Sequence, residues 1–195
     1  MYIMKQTMLG RFFSAANCAK VIPTGTKNTY EKMPEEPKKP EEPKITNQSA
    51  HRLYFDGCSK GNPGASGAGA VLYNVCKNDE YEIWADSCYV GSSSTNNEAE
   101  YTGLLIGMKE AIRRGIRDID IYGDSQLVIK QMRGEYAVKS PGLLKLHKQV
   151  KDLELGFEKV RYVHVYRHKN TRADELSNEG LLKPHVKHNE IKLKV

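Results

Sequence analysis

The hydrophobic period of this chain changes at Glu98, and that change limits the folds open to it. Before it lie three strand-like segments, "RLYFD", "AGAVLYNV" and "YEIWADSCYV". The glycine-rich "GCSKGNPGASG" reads as a turn between the first two, and the polar "CKNDE" as a turn between the second and third. From Glu98 to Arg114, Tyr101, Leu104, Leu105, Met108, Ala111 and Ile112 recur at helical spacing, and Gly115 stops the run. "RDIDIYGD" then alternates as a strand, and Ser125 to Arg133 forms a short helix closed by Gly134. Ser140-Pro141 starts a helix that runs to about Glu154. "KVRYVHVYR" is a fifth strand, and Ala173 to Leu182 a last helix. This order predicts an α/β domain, a five-stranded mixed sheet with helices packed on it.

The flanks differ from this body. In "YEKMPEEPKKPEEPKITNQS", Pro34, Pro37, Pro40 and Pro43 recur every third residue among charged pairs. Such a stretch has nothing apolar to bury and reads as a semi-rigid spacer, with a docking peptide for a proline-reading module as the alternative. Ahead of it, residues 1–30 are basic and free of acids, which suits either a mitochondrial presequence or a disordered arm. The expected organisation is an arm over 1–30, a linker over 31–50, a folded domain over 51–182 and a basic tail over 183–195.

The formal charge of +6 belongs mostly to the arm and tail. Within 51–182 the charges balance, but 51–100 is acidic and 101–172 basic, as an acidic pocket beside a basic track would be, or an ordinary mixed surface. The four cysteines form no C-x-x-C pair and have no histidine at zinc-like spacing. The expectation is a reduced, intracellular protein without a disulfide frame or zinc site. No stretch approaches the ~20 apolar residues of a membrane span.

Acids gather where elements meet. Asp56 closes the first strand, Glu98 and Glu100 open the first long helix, Asp124 closes the fourth strand, and Asp174 opens the last helix. Each has a plainer role by itself: D-G as a turn, D-S as a helix cap, a first-turn acid against the helix dipole. Together they suggest a carboxylate cluster at one sheet edge. Like charges ~4 Å apart repel by about 4 kcal/mol at an effective dielectric of 20. Oxygen-only ligation of this kind suits Mg²⁺ or Mn²⁺, and two such ions serve phosphoryl displacement. Glu98 and Glu100 lie about 200° apart around a helix, so one site cannot easily use both, and spacing does not choose between them.

The segments "YFDGCSKGNPGASGAG", "TNNEAEYTGLL", "IYGDSQLVIKQM" and "HKNTRADELSNEG" resemble, in order, the four signature segments of type I ribonuclease H. The resemblance covers most of 51–182 and implies the ribonuclease H fold, a five-stranded mixed sheet flanked by helices. It implies endonucleolytic cutting of the RNA strand of RNA–DNA hybrids with two Mg²⁺ ions, Mn²⁺ as a substitute, and 3′-hydroxyl and 5′-phosphate ends. Carried over by motif, Asp56, Glu100, Asp124 and Asp174 become the metal-holding catalytic acids, leaving Glu98 to stabilise its helix. Asn62, Asn96 and Asn97 become contacts to the hybrid, and Thr95 meets a DNA phosphate. Amides suit a 2′-hydroxyl, which both donates and accepts.

The chain departs from the family in two places. The family's mobile histidine lies about ten residues before the last Asp on a longer loop; here His168 lies six before Asp174, and His164 lies ten before it but within a predicted strand. His168 is the candidate for proton transfer or product release, with phosphate contact or no role as alternatives. "KQMRGEYAVKSPG" replaces the family's tryptophan-rich basic handle, so Lys139, Lys145, Lys148 and Lys151 become the candidates for substrate grip, with an ordinary solvated helix face as the alternative for the last three. The expected protein is a monomer acting on hybrid. The rival readings are a hybrid-binding module that no longer cuts, and an integrase-like nuclease acting on DNA.

Overall fold

Five strands and four α-helices follow the expected order in the computed structural model, which describes residues 49–77 and 79–183. The basic arm, the linker as far as residue 48 and the tail beyond Lys183 lie outside the described residues. Strands β1 (His51–Gly61), β2 (Gly64–Cys76) and β3 (Asp79–Ser94) form an antiparallel meander. Helix α1 (Asn96–Arg113) crosses to β4 (Asp118–Gly123), which lies parallel to β1. Helices α2 (Gln126–Met132) and α3 (Pro141–Glu154) lead to β5 (Lys159–His164), parallel to β4. A single 3-10 turn (Arg167–Lys169) then enters α4 (Thr171–Leu182). The sheet order is β3-β2-β1-β4-β5.

Alternation along β1 sorts its side chains onto two faces. Leu53 and Phe55 enter the main core with Leu104 and Met108 of α1, Ile121 of β4 and Val150 of α3. Each such fully buried side chain contributes about 1.5–3 kcal/mol. Tyr54 turns to the other face, where α4 seals a smaller cluster of Val71, Ala173 and Leu176. Tyr101 is fully buried and donates its hydroxyl to Gln131 at 2.9 Å, so its polar end is satisfied.

Three expectations change. The turn in "GCSKGNPGASG" is far shorter than expected: β1 and β2 run on until only Asn62 and Pro63 separate them, and Asp56 sits mid-strand. Two of its glycines serve close approach: a Cβ at Gly57 would strike the backbone of Ala99 and Glu100, and one at Gly67 the backbone of Ser177 and Leu181, while Gly61 takes a positive φ at the hairpin. Finally, β5 stops at His164, short of the predicted Arg167, because the chain turns there into the 3-10 segment.

Within β4, four residues before Asp124, Asp120 is fully buried. Its carboxylate accepts from Arg161 Nε at 2.5 Å and from the Ser49 backbone N–H at 3.0 Å. Cys58, Cys76 and Cys88 are free thiols. No helix among the described residues is long and apolar enough to cross a membrane.

Candidate active site

Three elements deliver three carboxylates to one point. Asp56 points from β1 toward the α4 face, is only 5% exposed, and accepts from Ser177 Oγ at 2.6 Å. Glu100 comes from the first turns of α1, which rest on β1 because Gly57 has no side chain to hold them off. Asp124 follows the last residue of β4, one position ahead of the Ser125 cap of α2. Oxygens of Asp56, Glu100 and Asp124 lie within 4.8 Å of one another. Asp174, in the first turn of α4, is outside this group, and its Oδ1 accepts from Arg167 Nη2 at 2.5 Å.

The electrostatics match that crowding. Burial, followed by the charges of Asp56 and Asp124, pushes the Glu100 carboxyl well above its ordinary value. Burial also drives Asp56 up to about 7, with Asp124 and Asp174 adding to the rise and the Ser177 hydrogen bond opposing it. Glu100 Oε2 is buried without a hydrogen-bond partner. A buried acceptor with no donor costs about 1–3 kcal/mol. An oxygen-only donor set, an orphaned carboxylate oxygen and mutual repulsion all fit a hard divalent cation.

Glu98 behaves quite differently from Glu100. Its Oε2 accepts from the Thr95 backbone N–H at 2.7 Å, while its own N–H donates to Thr95 Oγ1, closing a capping box at the start of α1. Thr95, the predicted phosphate contact, is thus also the helix cap. Asn62 Oδ1 accepts from the Asn96 N–H at 3.2 Å, tying the β1–β2 connection to the same helix end. Asn96 and Asn97 are half-buried in the first turn of α1. Lys139 is exposed in the connection before α3, as are Lys145 and Lys148 on that helix. Lys151 is engaged structurally, donating to Met132 O and pairing with Glu154.

His168 sits in the 3-10 turn, its ring stacked on Tyr166 at 5.9 Å. Together with Arg167, Thr171, Asp174 and Glu175 it lines an open cavity of about 290 Å³. His164, at the end of β5, places Nε2 3.2 Å from the Asp124 carbonyl oxygen.

Residues 54–180 match the family model described as Reverse transcriptase-like. The chain resembles the bifunctional protein Rv2228c of Mycobacterium tuberculosis, at 40% identity over 129 residues, 66% of this chain and 35% of that protein. In structure it matches RNase H1 from the halophilic archaeon Halobacterium salinarum, with TM-score 0.63 and 37% identity over 67% of this chain and 96% of that one. The chain belongs to the type I ribonuclease H family. A second solved member, LC11-RNase H1 in complex with RNA/DNA hybrid, matches with TM-score 0.61 and 32% identity, covering 67% and 96% of the two chains. The chain spans about a third of the length of the mycobacterial relative.

Within this ribonuclease H fold, three residues about the acids escaped the sequence reading. Arg167 holds Asp174, Asn170 donates to Asp124, and Ser177 donates to Asp56. Asn170 and Ser177 lie within the signature segment "HKNTRADELSNEG", but with no role assigned, since a hydroxyl or amide in a polar helix is ordinary. A further trace is spacing: Asn170, Asp174 and Ser177 fall at i, i+4 and i+7, on one helix face.

Proposed function

We propose that this chain is an endonuclease that hydrolyses the RNA strand of RNA–DNA hybrids, leaving 3′-hydroxyl and 5′-phosphate ends. The observation that carries this reading is the meeting of Asp56, Glu100 and Asp124 within 4.8 Å, with one Glu100 oxygen buried and unpartnered. Family membership and the likeness to a member solved on RNA/DNA hybrid support the choice of substrate.

Asp56, Glu100, Asp124 and Asp174 are the residues that would hold two Mg²⁺ ions, with Mn²⁺ as a substitute. Two such ions, when bound, lower the pKa of an attacking water and stabilise the leaving 3′-oxygen. Asp56 and Glu100 hold their places rigidly, each from a packed element, and bring the negative charge that the site needs. Asp174 joins the cluster by leaving Arg167, which frees that guanidinium for a phosphate. Asn62, Asn96 and Asn97 gather amides at the start of α1, where a 2′-hydroxyl separates RNA from DNA. Thr95 adds its hydroxyl toward a DNA phosphate, and Lys139 a positive charge at the rim. His168 stands beside Asp174 in the open cavity, in place to assist proton transfer or product release.

The test is cleavage of end-labelled hybrid, double-stranded RNA and duplex DNA, with Mg²⁺ and with chelator. The expected result is cutting of the hybrid's RNA strand alone, abolished by chelator and by Asp124→Asn. Losing one metal-holding acid removes several kcal/mol of transition-state stabilisation, about 10²–10³-fold in rate. Near-normal turnover by Asp124→Asn would overturn the site. Cutting of duplex DNA instead would favour the integrase-like rival, and salt-sensitive binding without cutting the binding module.

A further inference from the structure

We infer that one face of α4 is a positioning device for the acids: Asn170 orients Asp124 and Ser177 orients Asp56, so that both carboxylates face the cation. The inference rests on the metal-dependent reading above. Asn170 is 1% exposed and spends both amide protons across element boundaries. Its Nδ2 donates to the Phe55 carbonyl of β1 at 2.9 Å and to Asp124 Oδ1 at 3.4 Å. It therefore ties the strand position just before Asp56 to the carboxylate of Asp124, while its own carbonyl accepts the Asp174 N–H at 3.0 Å. Two helical turns later, Ser177 is fully buried, with Oγ 2.6 Å from Asp56 Oδ2 and 2.9 Å from the Asp174 carbonyl. A hydroxyl has one proton, and the closer, charged acceptor holds it more strongly.

Both donors are neutral. An amide or hydroxyl fixes the rotation of a carboxylate without cancelling the charge that attracts a cation, whereas a lysine or arginine would compete with the metal. The contrast lies within the site: Asp174, the acid paired with an arginine, is the one left out of the three-acid group. The approach also has a visible cause. A Cβ at Gly69 would sit 2.5 Å from Leu176 Cβ and Ser177 N, and one at Gly180 would sit 2.6 Å from Cys88 O. Bare backbone on the strand and on the helix lets α4 lie close enough for a side chain as short as serine to reach Asp56.

The experiment measures Mn²⁺ binding to the full-length protein by isothermal titration, for the parent, Ser177→Ala, Asn170→Ala and Leu176→Ala, below the melting temperature of each. Leu176 shares the helix but packs with Val71 and Ala173, so its truncation controls for loosening of α4. Loss of a residue that orients a metal ligand typically costs about 10–100-fold in metal affinity. Ser177→Ala should weaken Mn²⁺ by about tenfold and Asn170→Ala by more, with Leu176→Ala near parent affinity despite a lower melting point. At saturating Mn²⁺ the KM for hybrid should not move. If Asn170→Ala fails to fold, Ser177→Ala decides, since it removes one oxygen atom. Parent-like Mn²⁺ affinity in folded Ser177→Ala, or equal weakening in Leu176→Ala, overturns the inference. A parent that takes up no Mn²⁺ overturns the metal-dependent reading, and the inference with it.

Discussion

Glu98 Oε2 accepts from the backbone N–H of Thr95, whereas two residues on Glu100 Oε2 is buried with no donor at all. Side chains of the same kind can hardly have more different surroundings, and variants should separate them. Glu98→Gln keeps the capping box, since glutamine serves at that position, and should keep hybrid cleavage within about threefold, as one weakened surface hydrogen bond is worth about 0.5–1.5 kcal/mol of stability. Glu100→Gln should lose cleavage to the same degree as Asp124→Asn in the same assay. Asp56 carries a pH prediction. Its folded-state value near 7 stands above the ordinary 3.8, so between these values the folded form binds more protons than the unfolded. Stability without metal should therefore fall as pH rises through that window. Asp56→Asn removes the penalty and should stabilise the metal-free protein at pH 8 by about 1–3 kcal/mol, since each pKa unit is worth about 1.4 kcal/mol and part is lost to relaxation. The gain should vanish near pH 4. Melts in chelator at both pH values check this; equal melting points at pH 8 would contradict the burial of a charged Asp56.

Element by element, the periods were legible because each buries one stripe or one face. The apolar spacing of α1 marks the residues that meet β1, β2 and α3, and Gly115 and Gly134 end α1 and α2 with positive φ, as a helix stop requires. The glycine-rich stretch was misread because glycine serves two purposes that look alike in sequence. Turn glycines allow unusual backbone angles, while Gly57 and Gly67 make room for helices lying on extended strands. Gly57→Ala should accordingly behave as overpacking, costing about 1–3 kcal/mol, and it should displace Glu100. A lower melting point accompanied by loss of cleavage at temperatures where the variant remains folded is the expected pair of results. A purely local turn would lose stability alone.

For the whole molecule, two acids along and just beyond β4 have separate surroundings. Asp124, half-buried after the strand, faces the three-acid cluster, while Asp120, four residues back and fully buried, is held by Arg161 and Ser49. Arg161→Ala leaves Asp120 buried without its cation, and breaking such a pair costs about 3–5 kcal/mol. Urea denaturation should show that loss, with cleavage kept in the variant that stays folded. The order of strands and helices and the main core face of each could be read from sequence, because periodicity is a local property of a chain; the junction expected at Asp56 could not, since β1 runs on past it. Which acids meet could not. Asp56, Glu100 and Asp124 share a point because β1 and β4 are parallel neighbours and Gly57 admits α1. Asp174 stands aside, paired with Arg167. Asn170 and Ser177 matter only through partners more than 40 residues away in sequence. Hydrogen bonds of 2.6 to 3.4 Å between such distant positions depend on how closely a helix lies on a sheet, and only the packed tertiary structure decides that distance.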